Sequence, residues 1–205
     1  GEMGRLVTGV VAGRPSDRRL ASAVLLASIP AGLAGFAFQH AIETRLRSTT
    51  VVAASTILWA LVLWWADRRA ARAASVHDLR EVGTGRAFLV GLAQALALVP
   101  GTSRSGITIS AGLFAGLDRS TAARFAFLLG LPVTVAAGLL ETVSQARAGL
   151  AGDDLGALVL GVGTSFAAGL AAIRFLVAYL RRRTLLVFVT YRLVLGVLLL
   201  WLDRS

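Results

Sequence analysis

Six apolar stretches, separated by short arginine-bearing segments, constrain this chain more than any other feature of its sequence. They run from Leu20 to Gln39, Thr50 to Ala66, Ala87 to Leu117 with an interruption, Thr121 to Val143, Leu155 to Leu180 and Thr184 to Leu202. Five are long enough, or nearly so, to cross a hydrocarbon core about 30 Å thick at about 1.5 Å per residue. Lipid offers no hydrogen bonds, so backbone groups must be satisfied within each segment, and such runs are predicted to be helices. The expected fold is therefore all-α: a polytopic membrane protein, one domain over residues 1–205, with five transmembrane helices. A mean hydropathy of +0.74 and a charged fraction of 16% fit lipid as the solvent.

Other classes fall away. The formal net charge of +10 would suit nucleic acid, but the arginines sit in short runs beside apolar segments, without interleaved aromatic residues, so no nucleic-acid partner is expected. Cysteine is absent, which excludes disulfides, thiolate metal ligands and a cysteine nucleophile. Gly1 to Arg19 lacks a signal-peptide pattern. Trp59, Trp64, Trp65 and Trp201 fall toward the ends of two stretches, as interfacial anchors do. Gly32, Gly35, Gly161, Gly163 and Gly169 read as helix-packing positions.

The interrupted stretch is different. Its arms, Ala87 to Val99 and Gly106 to Leu117, are each too short to cross alone, and the break holds Pro100, Gly101 and Arg104. Arginine placement decides whether it crosses once or turns back, because cytoplasmic loops carry the excess positive charge. If residues 87–117 turn back, one side receives Arg5, Arg14, Arg18, Arg19, Arg68, Arg69, Arg72, Arg80, Arg86, Arg119 and Arg181 to Arg183, and the other only Arg45, Arg47, Arg147 and Arg204. A single crossing would weaken that asymmetry. A re-entrant helical hairpin over 87–117, entering from the cytoplasm, is therefore expected. Its non-helical tip requires protein or a wet cavity around it. Such broken helices often come as inverted pairs, but no second copy is evident in this chain.

The tip carries the chemistry. Pro100-Gly101-Thr102-Ser103-Arg104-Ser105-Gly106-Ile107-Thr108 joins a helix breaker, two glycines, four hydroxyls and a guanidinium. Pro100 ends the first arm, while Gly101 and Gly106 let backbone N–H groups approach a ligand. The second arm starts with free N–H donors and the positive end of a helix dipole. Arg104 adds a planar fork suited to phosphate oxygens. The bland alternative has the hydroxyls capping the second arm and Arg104 snorkelling or paired. Against it stands the cost of an arginine inside a membrane, about 2.5–3.5 kcal/mol on the most lenient scale.

The run from Leu98 to Gly112 resembles the second signature of the bacterial undecaprenyl-diphosphate phosphatases of the BacA type. The likeness continues through Gly116-Leu117-Asp118-Arg119-Ser120, Ala122 and Phe125 to Leu129, reaches Pro132, and ends at Tyr191-Arg192. It spans essentially the whole chain. Ala126 departs from an expected serine. The family's first signature, paired glutamates followed by a Pro-x-Ser-Ser-x-Gly-His sequence, is missing, so the chain looks N-terminally shortened, part of an inverted-repeat architecture. Gln94 stands where the second repeat would echo one of those glutamates.

The resemblance implies hydrolysis of undecaprenyl diphosphate to the monophosphate and inorganic phosphate in a bacterial inner membrane, with a divalent cation, Mg2+ or Ca2+, involved. It implies that Arg104 holds phosphate oxygens and stabilises developing charge while Ser103 and Thr108 donate hydrogen bonds to the phosphates. Gly101, Thr102, Ser105 and Gly106 join them as substrate-binding positions. For Arg192, inside the last stretch, a structural ion pair and a second phosphate contact are both open. The expected partners are a polyprenyl diphosphate and membrane lipids, with a homodimer left open. His40 and His77 are read as solvated loop residues, Glu141 as interfacial, and the adjacent Asp153 and Asp154 as capping or solvated. None of these supplies an obvious metal-ligand set. The competing readings are an anionic-lipid binding or transport protein without hydrolysis, and an inactive fragment.

Overall fold

A computed structural model describes residues 12–46, 48–73, 75–147 and 154–203. Arg5, Arg47, Asp153 and Arg204 lie outside them. The described residues form seven α-helices: α1 (Pro15–Arg45), α2 (Thr49–Ala73), α3 (Thr84–Leu96), α4 (Arg104–Phe114), α5 (Arg119–Arg147), α6 (Asp154–Leu180) and α7 (Leu186–Leu202). A 3-10 turn, Leu79–Glu81, precedes α3. Among the described residues four segments are long and apolar enough to cross a membrane: Pro15–Phe38, Thr49–Ala73, Arg119–Ser144 and Gly156–Leu180. The fifth expected span, α7, has 17 residues and reaches about 26 Å, slightly short of a full crossing.

The interrupted stretch folds into two antiparallel arms, α3 and α4, and the chain returns to where it set out. Val76 and Leu117 form a parallel bridge. The N–H groups of Ser75 and Val76 donate to the Gly116 carbonyl at 3.0 and 3.1 Å, and the Asp118 N–H donates to Val76 at 3.0 Å. Gly116, at φ +90°, makes the turn that presents this carbonyl; glycine adopts such a backbone without steric cost. Arg86 Nε closes the same base by donating to the Ala115 carbonyl at 3.1 Å.

Further ties gather the basic segments at that end. Arg80 pairs with buried Asp17 at 3.2 Å, and Arg119 pairs with buried Asp67. Asp67 also accepts the N–H of Leu185, just before α7, at 3.4 Å. At the opposite end Thr50 donates to Asp203 at 2.7 Å. Arg80, Arg119 and the start of α7 thus share one end of the bundle, in keeping with the arginine distribution.

The hairpin sits between α1, α2 and α5 and α7 pads α2, while α6 packs on α5 and sets Tyr179 edge-on against Phe188 of α7. In lipid, apolar burial gives little drive for helix association, and close packing of small residues takes over. Gly91 of α3 lies so near α1 that a Cβ there would stand 2.1 Å from the Ala27 carbonyl oxygen. Gly112 meets Ala122 across the α4–α5 contact, at 3.1 Å for an added Cβ. Ile107, Leu113, Leu117, Phe125 and Leu129 are fully buried around that contact. His40, expected in a loop, lies within α1; the helix continues beyond the apolar run because its backbone bonds do not need apolar side chains.

Candidate functional site

Residues 97–103 connect the arms through a succession of tight turns. Ala97, Leu98 and Val99 donate their N–H groups to the carbonyls of Gln94, Ala95 and Leu96, and Thr102 donates to Val99 at 3.2 Å. Gly101 has φ +86° and Ser103 φ +66°; Ser103 is the one non-glycine among the described residues with a positive φ. Such a conformation costs about 1–3 kcal/mol and persists only where surroundings enforce it, typically at functional sites. Here the enforcement is visible. Ser103 Oγ caps α4 by accepting the Gly106 N–H at 3.2 Å, and the Ser103 carbonyl accepts the Ile107 N–H at 3.0 Å.

The tip is braced from behind by α2 and α7. Ser55 and Thr102, both buried, share a hydroxyl hydrogen bond of 2.9 Å. Thr56 Oγ1 lies 3.2 Å from the Gly101 carbonyl oxygen. Arg192 Nη2 donates to the carbonyls of Gly101 and Thr102, both at 2.9 Å, and to that of Thr56 at 3.3 Å. Arg192 therefore forms no ion pair among these bonds. It holds the tip through main-chain carbonyl oxygens.

Ser103 and Arg104 are exposed, Ser105 and Gly106 partly so. The N–H groups of Arg104 and Ser105, at the first positions of α4, have no acceptor within their own helix. Arg104 crosses to α5, where Nη1 donates to Thr134 Oγ1 at 2.7 Å and to the Gly130 carbonyl at 3.4 Å. At about 1.5 Å per residue those two positions lie about 16 and 22 Å along α5 from Arg119, inside the apolar segment Arg119–Ser144. The guanidinium is thus far from the basic end and lies against a helix of lipid-compatible composition.

Two expected ligand contacts are placed differently. Thr108 is fully buried, and its hydroxyl donates to the carbonyls of Arg104 at 2.7 Å and Ser105 at 3.3 Å. A threonine inside a helix takes a carbonyl a turn back when nothing else is within reach. Thr102 is likewise fully buried against Ser55. Both hydroxyls support the tip from within, and the forward-facing polar groups are those of Ser103, Arg104 and Ser105.

A family model described as "Bacitracin resistance protein BacA" matches residues 2–198 of this chain. The chain belongs to the BacA family. It is 46% identical over 184 residues to a protein named undecaprenyl-diphosphatase from Chromohalobacter salexigens, an alignment covering 90% of this chain and 68% of the relative. With the undecaprenyl-diphosphatase of Teredinibacter turnerae the identity is 43% over 203 residues, covering 97% and 75%. With undecaprenyl-diphosphatase 2 of Stutzerimonas stutzeri it is 46% over 187 residues, covering 91% and 69%.

The remaining titratable candidates of this BacA-family chain lie away from the tip. His77 Nδ1 is 2.8 Å from Asp118, at the clasped base of the hairpin. Asp17 and Asp67 are committed to Arg80 and Arg119. Glu141 is exposed on α5. Among the described residues no three His, Cys, Asp or Glu side chains gather as a metal-binding group. Gln94 is 2% exposed on α3 with neither amide atom paired. Gly130 and Thr134 are not among the residues the sequence singles out; the available cue is a Gly-x-Pro-x-Thr sequence breaking the apolar pattern of α5.

Proposed function

We propose that this chain hydrolyses undecaprenyl diphosphate to undecaprenyl phosphate and inorganic phosphate, recycling the lipid that carries cell-wall precursors. One observation carries the reading: in a chain of the BacA family, the Ser103–Arg104 tip lies among apolar helices, about 16–22 Å from the basic end. The isoprenoid would lie against apolar helix faces while its diphosphate meets the tip. Water adds to the terminal phosphorus, the bridging P–O bond breaks, and the lipid monophosphate leaves. Arg104 grips the terminal phosphate and offsets its developing charge, with the Ser103 hydroxyl and the Arg104 and Ser105 N–H groups beside it. Positioning and electrostatics of this kind supply most of the catalysis in phosphoryl transfer. Thr102, Thr108 and Arg192 keep the tip in shape, and Gly101 and Gly106 allow its backbone to turn and to approach the phosphates.

In this proposal α3 and α4 form a re-entrant hairpin entering from the cytoplasmic face of the bacterial inner membrane, and α1, α2, α5, α6 and α7 cross it. The arginines gathered at the hairpin base support that orientation. The divalent cation, Mg2+ or Ca2+, and a homodimer belong to the proposal as well. The described carboxylates do not form a site for the cation, so no step is assigned to it. A second reading, recognition of an anionic lipid head without hydrolysis, is favoured by one observation: His77, Asp17, Asp67 and Asp118 are all engaged at the basic end, away from the tip.

The deciding experiment incubates the detergent-purified chain with undecaprenyl diphosphate, after chelation and again with Mg2+ or Ca2+ restored, and measures released phosphate. Release that disappears in Arg104→Ala is expected. Tight binding without release would favour the second reading, and unchanged rates in Arg104→Ala would remove the central residue.

A further inference from the structure

The motif supplies the arginine but not its aim, since a long flexible side chain at the start of a helix has many rotamers. What fixes Arg104 belongs to another helix. Thr134 Oγ1 lies 2.8 Å from the Gly130 carbonyl oxygen and 2.7 Å from Arg104 Nη1. A hydroxyl has one proton and two lone pairs. That proton goes to Gly130, because Arg104 has only donors, and a lone pair is thereby directed at the guanidinium. The carbonyl of Gly130 also faces Nη1, at 3.4 Å.

Gly130 does a second thing. A Cβ at this position would stand 2.9 Å from Arg104 Nη2, 3.0 Å from Cζ and 3.4 Å from Nε. The guanidinium lies directly on the bare backbone of α5. All described hydrogen bonds of the Arg104 side chain are made by Nη1. Nε and Nη2 form the opposite edge of the fork, the pair of parallel donors that grips two oxygens of one phosphate.

We infer that Gly130 and Thr134 are positioning residues for Arg104: they form a seat on α5 that takes Nη1 and leaves the Nε–Nη2 edge for the terminal phosphate. The inference rests on the proposed phosphatase reading. It adds a specific division of labour, in which α4 brings the charge and α5 sets its orientation. Pro132, between the two residues, cannot donate to the carbonyl one turn back and so loosens α5 at the seat.

The test uses the full chain in detergent with two readouts: phosphate release from undecaprenyl diphosphate, and calorimetric binding of a non-hydrolysable prenyl methylene-diphosphonate. Thr134→Val keeps shape and removes the acceptor. It is expected to weaken binding and lower kcat/KM by about tenfold or more, the scale of one hydrogen bond to a charged group, while Thr134→Ser restores most of both. In an Arg104→Ala background, where release is already lost, Thr134→Val should leave the residual binding unchanged. A merely structural role for Thr134 would add its loss of binding in both backgrounds, and that outcome, or wild-type behaviour of Thr134→Val, overturns the inference. Gly130→Ala is expected to reproduce the Thr134→Val defect. Were it to unfold, the threonine series would still decide. Binding with the expected coupling but no phosphate release would leave the seat standing and sink the phosphatase reading. Neither binding nor release in the unmodified chain would sink both.

Discussion

Replacing Gly101 with alanine adds one methyl group at the tightest point behind the tip. The new Cβ would stand 2.3 Å from the Val52 carbonyl oxygen and 3.0 Å from Thr56 Oγ1, on a backbone at φ +86°. Ordinary contact begins near 3.4 Å, so about 1 Å of movement is required. Val52 cannot give way easily, because its carbonyl lies inside α2 and already accepts the Thr56 hydroxyl at 2.7 Å. The tip must move. The conformational term alone costs about 1–2 kcal/mol for a residue with a side chain, and a displacement of about 1 Å at a reacting centre can cost about 100-fold in rate. Gly101→Ala is therefore expected to lower kcat/KM for undecaprenyl diphosphate by about 30–100-fold, with a fall in thermal midpoint of a few degrees in detergent. Gly32→Ala is the matched control, since nothing lies within 4 Å of the Cβ it would add; it should leave both quantities as they are. Wild-type turnover in Gly101→Ala would show that the tip geometry described here is not the one that acts.

Two further outcomes follow from the bracing residues. Arg192→Met retains bulk but strands the carbonyls of Gly101, Thr102 and Thr56 in an apolar setting; hydrogen bonds to charged donors are worth about 1.5–3 kcal/mol each and do not add fully. A drop of several degrees in thermal midpoint and loss of turnover are expected, and a fully stable, inactive Arg192→Met would instead point to direct contact with phosphate. Asp67→Ala leaves Arg119 without its partner at the basic end, where breaking a buried pair costs about 3–5 kcal/mol. This variant should unfold at lower temperature yet, where folded, bind prenyl diphosphate with unchanged Kd; a matching loss of affinity would show that the clasped end and the tip are coupled.

The helices were legible because lipid permits few alternatives: each apolar run became a helix, and Pro100 with Gly101 marked the break between α3 and α4. The polar inventory of the tip was legible for the same reason, since hydroxyls and a guanidinium stand out in that background. Their division of labour was not. Thr108 and Ser103 look equivalent in sequence, yet one lies inside a helix turn, where a carbonyl is always in reach, and the other sits ahead of it with its hydroxyl at the surface. For Arg192 the sequence leaves an ion pair and a phosphate contact open, and its partners here are main-chain carbonyls, which no side-chain pattern advertises. Gly130 and Thr134 were invisible because their meaning depends on which face of α5 meets α4. Asp67 and Arg119 lie 52 positions apart, a separation at which pairing follows only from the packed arrangement.

The clasp between Ser75, Val76 and Gly116 makes the hairpin a cantilever: fixed at its root, carrying its charge at the far end. A beam held only at the root lets its free end wander, and any small rotation there grows with the length of the arm. The lateral props supplied by Ser55, Thr56, Arg192 and the α5 backbone remove that leverage. Engineering that lengthens the arms by a whole helical turn would preserve the root and the motif, yet carry the charge past every prop that steadies it.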